Sequence, residues 1–422
     1  MASGALRVMA LAMKKKGDLN EEKDLVFLGL AGMMDPPREG VTEAVQSFRK
    51  AHVQTVMITG DHVDTALAIA KELGIAQSHE QCMKGEELDA LSEEELMERV
   101  EGIRVFARVS PEHKVCIVHA LKAKGKTVAM TGDGINDAPA LRAADVGVAM
   151  GKGGTDVARN AADLILTDDN FSTIEKAIRE GRGIYENIRK TILFLLSSNF
   201  GEIITMLVAI LAGFPATLKA SHILWVNLIT DSLPALALGM DGNDGEELMK
   251  QPPRKNTDTM FSHGGLSCTI CYGVVIGVIS ILAFMAVPYE ELMQRQLPVN
   301  LLSMKKILEI EWVLNKAQTH AFTVLGMSQL VHAVGMRDVN RSVFRMKHLE
   351  NLYMLAALGI GLLLQVLVTE VPHLVTLFET SCLTPGEWGR LQILALTPLA
   401  VHELLCLFTA AGQRQERAGE AH

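Results

Sequence analysis

The sequence predicts two regions of different class. An α/β region built on a parallel sheet with helices on both faces comes first, followed by an α-helical transmembrane region of about six spans. Three observations predict this. Up to about residue 190, short β-branched runs alternate with amphipathic stretches. From Thr191 onward, apolar segments of about 20 residues recur, the length needed to cross a bilayer. The 422 residues are 49% hydrophobic and only 21% charged, with a mean hydropathy of +0.21, which points to membrane spans.

The elements follow in order. Arg7–Leu11 reads as a short strand cut from something larger. It does not read as a secretory signal, because Lys14, Lys15 and Lys16 follow the apolar part instead of preceding it. Further strands are expected at Val26–Leu30, Val53–Ile58, Ile103–Ala107, Thr127–Met130, Val146–Met150 and Leu164–Leu166. Amphipathic helices are expected at Val41–Lys50, Val63–Leu73 and Pro111–Lys124. Ser92 followed by Glu95 is a capping box that starts another. Spans are expected at roughly 191–213, 221–240, 266–288, 317–336, 352–371 and 391–411. Arg182, Arg189 and Lys190 precede the first span, and Lys250, Arg254 and Lys255 follow the second. Arg337, Arg341, Arg345 and Lys347 follow the fourth, and Arg414 and Arg417 the sixth. The segment 289–316 keeps Arg295, Lys305, Lys306 and Lys316, but the balance still puts the α/β region and both termini in the cytoplasm.

The net charge of −9 argues against a nucleic-acid partner. Six scattered cysteines make no disulfide framework. The Cys268 and Cys271 pair lies in an apolar run and reads as helix packing.

The run Thr131-Gly132-Asp133-Gly134-Ile135-Asn136-Asp137-Ala138-Pro139 follows directly on an apolar strand. Its glycines allow a sharp turn and close approach to a ligand. Asp133 and Asp137 offer hard oxygens suited to Mg²⁺. Thr59-Gly60-Asp61 also ends an apolar strand, where a hydroxyl and backbone amides can hold a phosphoryl oxygen. Lys114 begins a helix and can neutralise phosphate charge. Read singly, Thr59–Asp61 would be a solvated turn and Lys114 a surface lysine.

Together these residues resemble the phosphorylation domain of P-type ATPases, a haloacid-dehalogenase-like, Rossmann-like fold. The resemblance is to calcium pumps of the sarco/endoplasmic-reticulum type and their bacterial relatives, and it covers essentially the whole chain. Asp35-Pro36-Pro37-Arg38, Met57–Asp61, Phe106–Pro111, Thr131–Leu141 and Asp168-Asp169-Asn170-Phe171-Ser172 carry it. It implies that Asp133 binds Mg²⁺ with support from Asp137. It also implies that Thr59, Gly60, Asp61 and Lys114 contact a phosphoryl group.

Ionisable groups at membrane depth are functional by default. Asn199 and Glu202 lie three residues apart on one helix face, and Asn227, Thr230 and Asp231 share a face of the next span. Pro234 removes a backbone donor one turn later. Two facing helices of this kind can supply oxygens for Ca²⁺. Interhelical hydrogen bonding would explain Asn199 or Thr230 singly, but not two carboxylates. The pattern Asn-x-x-Glu then Asn-x-x-Thr-Asp looks like the calcium pumps. Gln329 stands where the two-site animal pumps carry another glutamate, which suggests one transported Ca²⁺.

The family phosphorylates an aspartate in an Asp-Lys-Thr-Gly-Thr loop, and no such loop occurs in these residues. Asp35 precedes Pro36-Pro37-Arg38, so a free-standing phosphatase is not expected. The chain resembles the C-terminal part of an ATP-driven calcium pump. It would comprise the end of the nucleotide-binding domain and a hinge (1–24), an incomplete phosphorylation domain (25–190) and a transmembrane domain (191–422). The expected cofactors are Mg²⁺ and ATP, with Ca²⁺, or Mn²⁺ through the same oxygen ligands, as transported ion. The expected partners are the lipid bilayer and a complementing N-terminal half, and the expected location is the bacterial plasma membrane. The chain alone is expected to be inactive. The phosphorylation domain would lack the central strand between those bearing Thr59 and Asp133, leaving two strand edges unpaired. The alternative is a non-catalytic truncated membrane protein that binds cation or associates with a full pump.

Overall fold

The computed structural model describes residues 7–14, 25–33 and 37–419, with side chains of the last helix described only to Phe408. Asp35, Pro36 and most of segment 1–24 lie outside the described residues. The chain divides into two units, Met1–Arg182 with Asp244–Asp258, and Gly183–Asn243 with Thr259–His422.

The first unit opens with an antiparallel ribbon of β1 (Arg7–Met13) and β2 (Val26–Met33). Then follow α1 (Val41–Lys50), β3 (Met57–Thr59), α2 (Val63–Glu72), β4 (Cys82–Lys84), α3 (Gly85–Asp89), α4 (Glu93–Arg99), β5 (Val105–Ala107) and α5 (Pro111–Ala123). The series ends with β6 (Ala129–Gly132), α6 (Ala138–Ala143), β7 (Val146–Met150), α7 (Asp156–Ala161) and β8 (Leu164–Leu166). Local chemistry sets the helix starts. Ser92 accepts from the Glu95 amide while the Glu95 carboxylate accepts from the Ser92 amide. Ser110 caps α5 in the same way with His113, and Pro111 fills the first turn.

The strands make two separate parallel sheets, in the orders β3-β5-β4 and β6-β7-β8. Alternation on β5 feeds two cores. Phe106 joins Ile117 of α5 and Leu96 of α4, whereas Val105 and Ala107 face Val63 and Ala66 of α2. The second sheet packs Met130 and Ala149 on Val118 of α5, Leu141 of α6 and Ala158 of α7. Helix α5 therefore serves both sheets, and Ile58 of β3 packs on both cores. The central strands are buried, but β3 and β6 are edges and only partly covered. Strand β4 was not expected. Of its three residues only Met83 is buried, too little for a periodic signal.

The second unit is helical. The helix α8 (Ser172–Ala212) is 41 residues long, so the expected first span is its C-terminal half. It is followed by α9 (Ala220–Trp225), a π-helical turn at Val226–Thr230 and α10 (Ser232–Gly239). The short α11 (Gly245–Lys250) belongs to the first unit. Next come α12 (Gly265–Gln294), α13 (Leu301–Leu308), α14 (Glu311–Met336), α15 (Leu352–Glu370), α16 (Pro372–Phe378), α17 (Pro385–Ala395) and α18 (Thr397–Gly419).

Among the described residues four stretches are long and apolar enough to cross a membrane: α8, α12, α15 and the α17–α18 pair. The other two expected spans differ for physical reasons. The segment 220–239 is broken by the π turn. Helix α14 is largely buried among other helices and carries Gln318, Thr319, His320, Ser328, Gln329 and His332 inside. A helix covered by protein need not be apolar.

A buried ion pair closes one end of this unit. Arg337 donates to Asp241 through Nε (3.1 Å) and a terminal nitrogen (2.8 Å), and Asn351 donates to the same carboxylate at 2.8 Å. Asn187 donates to the Asp241 carbonyl at 2.8 Å, so α8, α14 and α15 all converge on the end of α10. Removing one partner strands a buried charge, at a cost of about 3–5 kcal/mol. Arg337→Met is expected to lower the melting temperature of the detergent-solubilised chain sharply. Adding Asp241→Leu should restore most of it, and a double variant no better than the single contradicts this account.

Candidate functional site

Two sets of polar side chains stand out, one in each unit. In the first, Thr59 ends β3 and Gly132 ends β6, so both loops leave the C-terminal ends of parallel strands, where ligands bind in open α/β sheets. Thr59 Oγ1 donates to Asp61 at 3.0 Å and accepts from the Asp61 amide at 3.1 Å. The Thr59 and Asp61 carbonyls accept from the Val109 and Arg108 amides, which fix this turn to the end of β5.

The second loop is built around Asp137, which is 7% exposed. Its Oδ2 accepts from the Asp133 and Gly134 amides at 3.2 and 3.1 Å, and its Oδ1 from Lys114 at 2.5 Å. Gly132 is required here, because a Cβ on it would lie 2.4 Å from the Asp137 Cβ. Asp137 thus spends both oxygens holding the loop and Lys114. The Asp133 side chain is exposed and, among the described residues, has no hydrogen-bond partner. An unpaired carboxylate at a strand end, beside a neutralised one, fits a hard cation such as Mg²⁺. Lys114 opens the helix that serves both sheets. Among the described residues no hydrogen bond joins Thr59–Asp61 to the Asp133–Asp137 loop.

Behind these loops, Asp169 clamps the turn after β7. It accepts from the Lys152 and Gly153 amides at 2.9 and 2.6 Å, and Arg38 donates to its carbonyl at 2.7 Å. The Lys152 amide holds the Asp169 carboxyl below its ordinary value of 3.8; burial opposes this, and the Gly153 and Gly151 amides and the Arg38 charge support it. Asp168 is lowered by the Thr173 hydroxyl and then the Asn170 amide. Folding depresses both values, so both contribute stability that is present above about pH 3.8 and lost as pH falls through the folded values. Asp169→Asn is therefore expected to lower the melting temperature at pH 7 and to flatten its acid dependence. An unchanged acid slope would count against the clamp.

The second set lies among α8, the π turn, α10, α14 and α15. Glu202, 7% exposed, accepts from Asn227 (3.2 Å, Oε2) and Gln329 (3.3 Å, Oε1). Asp231, 1% exposed, follows the π turn, and its amide donates back to the Val226 carbonyl at 2.9 Å. π turns inside helices frequently mark functional positions. Among the described residues, neither carboxylate oxygen of Asp231 and not the Gln329 carbonyl oxygen has a hydrogen-bond partner. Buried polar atoms are normally bonded, so this concentration of free acceptors points to a ligand. Thr230 is buried beside them, whereas Asn199 is only half-buried and makes no hydrogen bond to the other five.

One further buried polar residue was not singled out in the sequence. Gln365 of α15 is 1% exposed, and its amide oxygen and nitrogen both lack partners among the described residues. Its signal was a single amide in a helix otherwise apolar from Met354 to Val368.

Comparison with known proteins decides the relationship. Residues 215–408 match the family described as cation transporting ATPase, C-terminus, and residues 7–145 and 115–178 match haloacid dehalogenase-like hydrolases. The chain is 50% identical over 414 residues to Calcium-transporting ATPase 1 of Bacillus cereus, covering 96% of this chain and 46% of the relative. The chain is a homologue of the C-terminal part of calcium-transporting ATPases. It is 47% identical to the Calcium-transporting ATPase of Bacillus subtilis (92% of this chain, 42% of the relative). It is 37% identical to human Calcium-transporting ATPase type 2C member 2 (95% and 39%). The chain thus spans less than half the length of these curated relatives. The two haloacid-dehalogenase-like matches together span the β1–β2 ribbon and both parallel sheets, and the ATPase C-terminal match spans α9 to the first half of α18.

Proposed function

We propose that this chain forms the phosphoryl-handling and ion-binding part of an ATP-driven divalent-cation pump, with Ca²⁺ as the transported ion. The observation that carries the proposal is the pair of buried carboxylates, Glu202 and Asp231, beside free amide oxygens. Two carboxylates balance one divalent charge, so the site takes one ion, with Asn227, Thr230 and Gln329 adding neutral oxygens. Asn199, on the same face of α8 as Glu202, would complete the shell.

In the first unit (25–190 in the domain division we propose) Mg²⁺ would be held at Asp133 and would supply charge neutralisation to the phosphoryl group. Asp137 fixes the loop and Lys114, Thr59 and Gly60 orient phosphoryl oxygens, and Asp61 holds the Thr59 hydroxyl. The accepting carboxylate and the ATP site would come from a complementing N-terminal half, its strand entering between β3 and β6. The chain would lie in a bacterial plasma membrane with the first unit in the cytoplasm.

Co-expression with the N-terminal half of the Bacillus cereus relative tests this. Vesicles holding both polypeptides are expected to take up ⁴⁵Ca²⁺ with ATP, and vesicles holding either alone to take up none. Uptake that survives Asp133→Ala in the paired halves would sink the assignment.

A further inference from the structure

We infer that Gln365 of α15 is an additional ligand of the cation site, supplying a neutral carbonyl oxygen from a helix that carries none of the carboxylates. The inference rests on the ion-site reading above and extends it.

The geometry is set by two glycines. Gly361 of α15 lies against Leu330 of α14, so closely that a Cβ on it would be 2.6 Å from a Leu330 methyl. One turn along α15, Gln365 faces Gly326 of α14. A Cβ on Gly326 would be 3.1 Å from Gln365 Oε1 and 3.6 Å from the Thr230 methyl. The bare backbone at Gly326 therefore leaves the Gln365 amide and the Thr230–Asp231 turn on either side of one small space. Gly326 and Gln329 are three residues apart on the same face of α14, with Thr323 one turn before. The Thr323 hydroxyl also lacks a partner among the described residues, as do the Asp231 carboxylate, Gln329 Oε1 and both ends of the Gln365 amide.

A glutamine kept inside a bundle for helix association would hydrogen-bond across the interface. Among the described residues the Gln365 side-chain amide bonds to nothing, so its burial is a cost without a structural return. A cation explains it. Ca²⁺ takes six to eight oxygens, and Glu202 with Asp231 already neutralises it, so a further ligand need carry no charge. An amide oxygen is such a ligand.

The test uses the full 422-residue chain in detergent, with ⁴⁵Ca²⁺ binding and Ca²⁺-dependent melting as readouts. Gln365→Leu is expected to raise half-saturating Ca²⁺ about tenfold, within the range for weakened metal sites. Its cation-free melting temperature should equal or exceed wild type, because an unbonded amide has been replaced by an apolar group. Gln365→Glu keeps an oxygen and is expected to bind Ca²⁺ at least as well as wild type. Unchanged Ca²⁺ binding in Gln365→Leu overturns the inference. So does a fall in cation-free melting temperature with weakened binding in both variants, which would mark a structural residue. If wild type and Asp231→Asn respond alike to Ca²⁺, the ion-site reading itself fails, and the role of Gln365 falls with it.

Discussion

Asp231→Asn is expected to abolish the Ca²⁺-dependent rise in melting temperature and to weaken ⁴⁵Ca²⁺ binding by about 100-fold or more. Losses outside the ligand shell alone cost about 10–100-fold in metal sites. Among the described residues both carboxylate oxygens of Asp231 are buried without a hydrogen bond, so a cation is the compensation the fold leaves for them. A ligand that binds only the folded state raises stability by mass action, about 2.7 kcal/mol at 100 times its Kd. The variant should lose that increment while melting close to wild type without cation, because an amide of the same size replaces a buried carboxyl that makes no hydrogen bond among the described residues. Glu202→Gln should weaken binding less. Glu202 has Asn227 and Gln329 as donors, and the amide retains an oxygen. A Ca²⁺ response in Asp231→Asn equal to wild type would remove this residue from the site.

The second large effect is expected at the two sheets. Strands β3 and β6 are edges, one in each sheet, and Ile58 of β3 already touches both cores. Exposed edges with free N–H and C=O groups invite another strand. Co-folding with the N-terminal half of a related pump should slow amide exchange at Met57–Thr59 and Ala129–Gly132. The slowing should be about tenfold or more, as strand edges change from locally open to cooperatively protected. The outer edges, β4 and β8, should change little. Protection that appears at β4 or β8 and not at β3 or β6 would place the entering strand elsewhere.

Much of the first unit was legible because its signals are local. Val146–Met150, Leu164–Leu166 and Val41–Lys50 have the bounds read from periodicity. The Ser92 cap is a matter of spacing within four residues. Strand β4 was not legible, since three residues with one buried side chain carry no period. In the second unit the apolar runs marked all six segments, the run at 317–336 falling within α14 although its polar residues face protein. They carried no sign of the π turn before Asp231.

The sequence by itself determined the division into an α/β region and a helical region, the strand-end loops at Thr59–Asp61 and Thr131–Asp137, and the carboxylates Glu202 and Asp231. These follow from residue type and spacing along one chain. Only the tertiary structure decided which polar groups are satisfied. Asp137 turned out to be occupied by Lys114 and two amides, and the Asp133 side chain to have no hydrogen-bond partner among the described residues. Glu202 is bonded across helices, while Asp231 and Gln365 are not. Partnering depends on atoms brought together from distant segments, through contacts such as Gly326 on Gln365. Such contacts leave no periodic trace in the order of residues.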